Sequence, residues 1–121
     1  MIVGIDLGTT NSLVSVWRDG SAALIPNALG SVLTPSAVSL SDGGEVLVGM
    51  AARERLLTAP ERSVAAFKRY MGTNREFRLG KRSFRAEELS ALVLRALKAD
   101  AEAFLGAPVE RAIITVPARC R

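Results

Sequence analysis

The stretch Ile5-Asp6-Leu7-Gly8-Thr9-Thr10-Asn11-Ser12 gathers a carboxylate, a glycine and several hydroxyls within eight consecutive positions. Each of these types has a use in handling phosphate. Gly8 lets the backbone turn tightly and come close to a ligand where a side chain would intrude. Successive amide N–H groups in such a turn form an anion-binding concavity, and the hydroxyls of Thr9 and Thr10 add donors beside it. Asp6, delivered to the end of an apolar strand, stands where a carboxylate can hold a magnesium ion through its waters. The set suits a nucleotide phosphate with its metal. The competing reading is a plain hairpin whose turn is made of Gly, Thr and Asn, all ordinary turn residues. The buried-strand prefix and the length of the run favour phosphate.

The surrounding pattern says how this segment is positioned. Met1 to Leu7 reads as an apolar strand ended by Gly8. Ser12 to Trp17 alternates, Arg18-Asp19-Gly20 supplies a hairpin turn, and Ala22 to Ile25 returns as a third antiparallel strand. Pro26 to Pro35 reads as a loop. Ser36 to Leu40 and Val46 to Val48 form a second strand pair around Ser41-Asp42-Gly43-Gly44. Gly49 to Leu57 predicts a short helix stopped by Pro60, and Ser63 to Met71 a second helix closed by Gly72.

The longest helix is expected from about Ala86 to Leu105, with Leu89, Leu92, Val93, Ala96, Leu97 and Phe104 on one buried face. Glu87 and Glu88 lie in its first turn, where the helix dipole favours anions, and Gly106 and Pro108 mark its end. Ala112 to Val116 is a β-branched run that predicts a fully buried strand. Strand, long helix and strand in that order imply a crossover onto a mixed sheet. The fold class is therefore α/β. Because the chain stops at Arg121, directly after that strand, it is expected to be the N-terminal piece of something longer. The strand ending at Pro117 is then expected to leave an edge unpaired and to promote self-association.

Composition narrows the alternatives. The chain has 121 residues and no His, which excludes His-based acid–base catalysis and His-ligated metal. One cysteine, Cys120, permits no intramolecular disulfide and suits a reducing compartment. Cys120 has no His to activate it and is read as no nucleophile. With 49% hydrophobic and 23% charged residues the chain is globular rather than disordered. No signal peptide and no run of roughly 18 apolar residues appears, so the expected location is cytoplasmic, with no membrane partner. Sixteen Lys and Arg against twelve Asp and Glu leave a net charge of +4. The Arg residues read as scattered among acids, as at Arg53, Glu54 and Arg55, so the surface is read as mixed and solvated, with no nucleic-acid partner.

Residues 5–12 resemble the first phosphate-binding segment of the seventy-kilodalton heat-shock family, the DnaK-type chaperones. The resemblance extends to Asn27 with Gly30, Leu33-Thr34-Pro35-Ser36, Val48-Gly49, Phe67-Lys68-Arg69-Tyr70-Met71-Gly72, Leu105-Gly106-Ala107-Pro108-Val109 and Ile114-Thr115-Val116-Pro117-Ala118. These follow the family's order across almost the whole chain. Ser12-Leu13 with Val16-Trp17 and Phe67-Lys68-Arg69 is similar to the HscC-like branch. Where the family carries an aromatic pair after Val-Pro-Ala, this chain has Arg119 and Cys120.

The resemblance implies a partial actin-like (ribonuclease H-like) ATPase fold. Residues 1–35 and 106–121 would belong to the core sheet, with 36–105 as a small α+β insertion and the crossover helix. It implies ATP or ADP with magnesium and potassium ions as cofactors. Asp6 would hold the metal's water shell, Gly8, Thr9, Thr10 and Asn11 would contact the phosphates, and Lys68 would reach the γ-phosphate. Arg69 and Pro117 would serve signalling between domains. The parent would use ATP hydrolysis in the stress response and protein folding to control its hold on unfolded polypeptide, with a J-domain co-chaperone and a nucleotide exchange factor. This chain alone, lacking the second lobe and the substrate-binding domain, is expected to be inactive. A metabolite (sugar) kinase on the same actin-like core and a binding module without an enzymatic parent are the alternatives.

Overall fold

The computed structural model describes residues 2–115. Strand β1 (Ile2–Leu7) alternates as a half-covered strand should: Val3, Ile5 and Leu7 are buried, while Ile2 and Asp6 are exposed. It pairs antiparallel with β2 (Asn11–Arg18), which buries Ser12, Val14 and Val16 on the same side. The expected hairpin follows. Asp19 at φ 51° and Gly20 at φ 81° give two successive left-handed residues, the requirement of a type I′ turn, and β3 (Ser21–Leu24) returns along β2.

The expected loop at 26–35 ends two residues early, because β4 (Thr34–Pro35) pairs back onto β2 with Asn11 opposite Pro35 and Ser12 opposite Thr34. A second sheet carries β5 (Ala37–Leu40) between β6 (Val46–Val48) and a later strand. Helix α1 (Met50–Thr58) lies against β5, held there by Arg55, whose Nε donates to Ser39 Oγ at 2.7 Å and Nη2 to the Leu40 carbonyl at 2.9 Å.

The helix expected over Ser63 to Met71 does not form. Ser63–Ala65 is instead strand β7, paired antiparallel with β5 so that Val64 faces Val38. The Ser63 hydroxyl bonds the Arg55 and Ala59 carbonyls, an alternative to helix that serine readily takes. Ala66 at φ 56° then breaks any helical continuity, and only a 3-10 turn at Lys68–Tyr70 remains. Next comes a hairpin that the sequence reading left unassigned, β8 (Glu76–Leu79) and β9 (Arg82–Arg85), which pairs Phe77 with Phe84.

Helix α2 (Ala86–Leu105) occupies the expected span. The Glu88 carboxylate accepts from the Arg85 amide at 2.8 Å at its start, and Gly106 at φ 67° ends it. Its buried stripe runs through Leu89, Val93, Leu97 and Ala101, with Leu105 packed against the core. Phe104, expected on that stripe, is 52% exposed, because four-residue steps from Leu97 reach Ala101 and Leu105 instead. The crossover then delivers β10 (Arg111–Thr115) parallel to β1, Ile5 beside Ile114. The expected full burial of this strand is not found: all five of its residues are exposed. It is the outermost strand in the order β10-β1-β2-β3, flanked among the described residues by β1 alone. The resulting fold is a mixed α/β arrangement with one crossover helix and a smaller strand–helix unit. No helix among the described residues is long and apolar enough to cross a membrane.

Candidate functional site

The turn between β1 and β2 is fixed from below. A Cβ on Gly8 would lie 2.3 Å from the Asn11 carbonyl oxygen, a backbone contact that no side-chain movement can relieve. Ser36 ties the same turn from the other side: its amide donates to the Thr10 carbonyl at 2.9 Å and its hydroxyl to the Gly8 carbonyl at 2.8 Å. Ser12 Oγ lies 2.8 Å from Ser36 Oγ. Both serines are buried.

Thr9 and Thr10, half-buried and exposed respectively, lie at a shallow depression of about 150 Å³ that Ser36, Arg53, Ala65 and Ala66 also line. Lys68 begins its 3-10 turn two residues beyond Ala66 and is half-buried. The fold therefore brings the Thr9-Thr10 turn together with the segment that leads into Lys68, although nearly sixty residues of chain separate them. The Lys68 side chain has no hydrogen bond or ion pair among the described residues. Arg69 is exposed in the same turn.

Asp6 occupies a different surface. It stands on the face of the first sheet that α2 does not cover, opposite Leu13 on β2 and Thr115 on β10. There it lines a groove of about 240 Å³ with Gly4, Ser15, Trp17 and Ile113. The carboxylate is exposed rather than turned into the core. Asn11 is half-buried, its backbone engaged in the pairing with Pro35. Pro117 and Cys120 lie outside the described residues.

Three participants in this geometry were missed as site residues. Ser36 stood within the Thr-Pro-Ser stretch, but only pairing across the sheet reveals that its hydroxyl holds Gly8. Arg53 is one of several arginines on a short helix, and nothing in the sequence separates it from Arg55, which instead binds β5. Ala66 is an alanine in left-handed backbone, a conformation sparsely populated by L-residues, and no residue type announces it.

A parallel-plus-antiparallel sheet with a glycine-dependent turn at the end of β1, hydroxyls at that turn and an exposed carboxylate on a separate groove of the same sheet defines a mixed α/β domain. A family model described as Hsp70 protein matches residues 2–79 and 74–119. The chain belongs to the Hsp70 family of chaperones. Domains of this family bind nucleotide with magnesium and act on polypeptides, and their ATPase domain has an actin-like fold, with which the observed mixed α/β arrangement is consistent. The kinase reading is not favoured.

Proposed function

We propose that this chain binds the phosphates of ATP or ADP at the Gly8–Asn11 turn and forms part of a nucleotide-binding domain whose ATP hydrolysis governs binding of unfolded polypeptide. The observation that carries this reading is the Gly8 corner: backbone packed too closely for any Cβ, anchored by Ser36, with Thr9 and Thr10 left at an accessible depression. Such a corner offers donors to an anion without reorganising, which is what phosphoryl chemistry asks of a protein.

The donor set fits magnesium held through water. Among the described residues no three His, Cys, Asp or Glu side chains are grouped to cage a metal, and Asp6 is a single exposed carboxylate. Magnesium commonly keeps several waters and takes one or two carboxylates together with substrate phosphates. When bound with nucleotide, the ion neutralises phosphate charge. Asp6 would accept hydrogen bonds from its waters, Thr9, Thr10 and Asn11 would orient the phosphate oxygens, and Lys68 would place a cation at the terminal phosphate. Arg69 and Pro117 would couple this region to further domains, and a J-domain co-chaperone and an exchange factor would act on the assembled protein.

Titration of magnesium–ADP into the chain by calorimetry tests the reading. Asp6→Asn is expected to weaken binding about 10-fold in magnesium and to change little when magnesium is chelated. Equal affinity for wild type and Asp6→Asn in magnesium would remove Asp6 from the site. The chain alone is expected to hydrolyse no ATP, and magnesium-dependent turnover abolished by Asp6→Asn would overturn that part.

A further inference from the structure

The net positive charge of this protein is not spread over its surface. Residues 75–85 contain five cations, Arg75, Arg78, Lys81, Arg82 and Arg85, and one acid, Glu76, a surplus of four that equals the net charge of the whole chain. Everything outside this hairpin balances, which corrects the impression of arginines scattered evenly among acids. All five cations are exposed. From these observations, and independently of the nucleotide reading, we propose that the β8–β9 hairpin is a docking surface for an acidic, carboxylate-rich polypeptide segment.

The cations are organised, and Arg85 also has acids near it: it stands in register opposite Glu76, and its charge helps to hold Glu87 below its ordinary value. Arg75 sits over the rings of Tyr70 and Phe77, its guanidinium carbon 4.4 and 5.1 Å from their centroids. Arg82 sits 4.8 Å over Phe84. Arg85 donates to the Thr73 carbonyl at 2.6 Å and Arg78 to the Gly80 carbonyl at 3.4 Å. Those hydrogen bonds go to neutral oxygens, so they restrain the guanidinium groups without themselves neutralising them. A guanidinium held against an aromatic ring loses less freedom when its remaining N–H groups grip a carboxylate in a bidentate pair.

The chemistry of the surface selects among polyanions. Single-stranded nucleic acid binds by stacking bases on exposed aromatic rings, yet Phe77 and Phe84 are 9% and 6% exposed and already lie beneath arginines. An anionic membrane surface is gripped by cations flanked by exposed apolar side chains, and no large hydrophobic residue of this hairpin is exposed. What remains is charge with planar donor geometry, the complement of aspartate and glutamate side chains.

Fluorescence anisotropy with a labelled glutamate-rich peptide long enough to span both strands tests the proposal. The peptide should bind the chain, less tightly as salt rises. The pair Arg78→Glu with Lys81→Glu should weaken it at least about tenfold. The pair Arg95→Glu with Lys98→Glu, the same change in net charge placed on α2, should leave it within about twofold. Equal loss from both pairs, absence of binding by the wild type, or tighter binding of an oligo-dT of matching length or of phosphatidylserine vesicles would overturn it. Arg78→Gln with Lys81→Gln supplies a milder pair, expected to weaken binding in the same direction, should the charge reversal disturb folding.

Discussion

Ser36 Oγ donates to the carbonyl oxygen of Gly8 at 2.8 Å, across 28 residues of chain. A serine hydroxyl has one proton, so the proton in the adjacent Ser12–Ser36 contact at 2.8 Å comes from Ser12. The order is Ser12 to Ser36 to Gly8. Ser36→Ala therefore strips a buried hydroxyl and a carbonyl of their partners together, whereas Ser12→Ala leaves the bond to Gly8 intact. Ser36→Ala is expected to cost about 1–3 kcal/mol and Ser12→Ala measurably less. Urea unfolding of both variants checks the order, and equal losses would contradict it.

Gly8→Ala is expected to be far more damaging than its single methyl suggests. The new Cβ would meet the Asn11 carbonyl oxygen at 2.3 Å, so the backbone of the turn must move. A loss of about 2 kcal/mol or more is expected, with nucleotide affinity falling alongside it. Thermal unfolding with and without magnesium–ADP separates the two effects.

Ala66 makes the opposite case. Its φ of 56° costs an L-residue about 1–2 kcal/mol, while glycine would add about 0.5–1 kcal/mol of backbone entropy loss. The difference favours Ala66→Gly, which should be neutral or stabilising by up to about 1 kcal/mol. Ala66→Val, with a branched Cβ in left-handed backbone, should destabilise. Denaturation midpoints for the two variants should fall on opposite sides of, or at and below, the wild-type value.

Glu87 supplies a pH dependence. The Gly72 amide donates to its carboxylate at 2.7 Å, and that bond is the leading cause holding Glu87 below its ordinary value of 4.5. A carboxyl with a lowered folded-state pKa contributes stability that is fully present above the ordinary value. The contribution fades as pH falls through the lower, folded one. The protection of the Gly72 amide, measured against the intrinsic exchange rate at each pH, should fall over that interval, and Glu87→Gln should flatten the response. A Gly72 exchange profile unchanged by Glu87→Gln would show that the contact does not form in solution.

The first sheet was readable because each of its features is local. Alternation in Ile2–Leu7 and Asn11–Arg18, a positive-φ pair at Asp19-Gly20 and the apolar spacing of α2 each need only a few neighbouring residues. The turn carrying Gly8, Thr9 and Thr10 was legible on the same grounds. What failed depended on partners remote in sequence. Ser63-Val64-Ala65 is compatible with helix until Val38 is available to pair with it. The β8–β9 hairpin was legible after the fact, with Phe77 and Leu79 alternating before Gly80, but its crowd of arginines masks the apolar face. Arg53 and Arg55 lie on the same short helix, and only the tertiary structure sends one toward the turn and the other into β5.

The pairing of β1 with β10 also sets a timetable. Thr115 Oγ1 reaches the Ile5 carbonyl across 110 positions, so the strand that leads into Asp6 gains its second neighbour only after nearly everything between them has emerged from the ribosome. Contacts of such long range slow folding. A nascent chain therefore holds the Asp6 strand with β2 as its one neighbour until β10 arrives, its other edge a template on which a second growing chain could add.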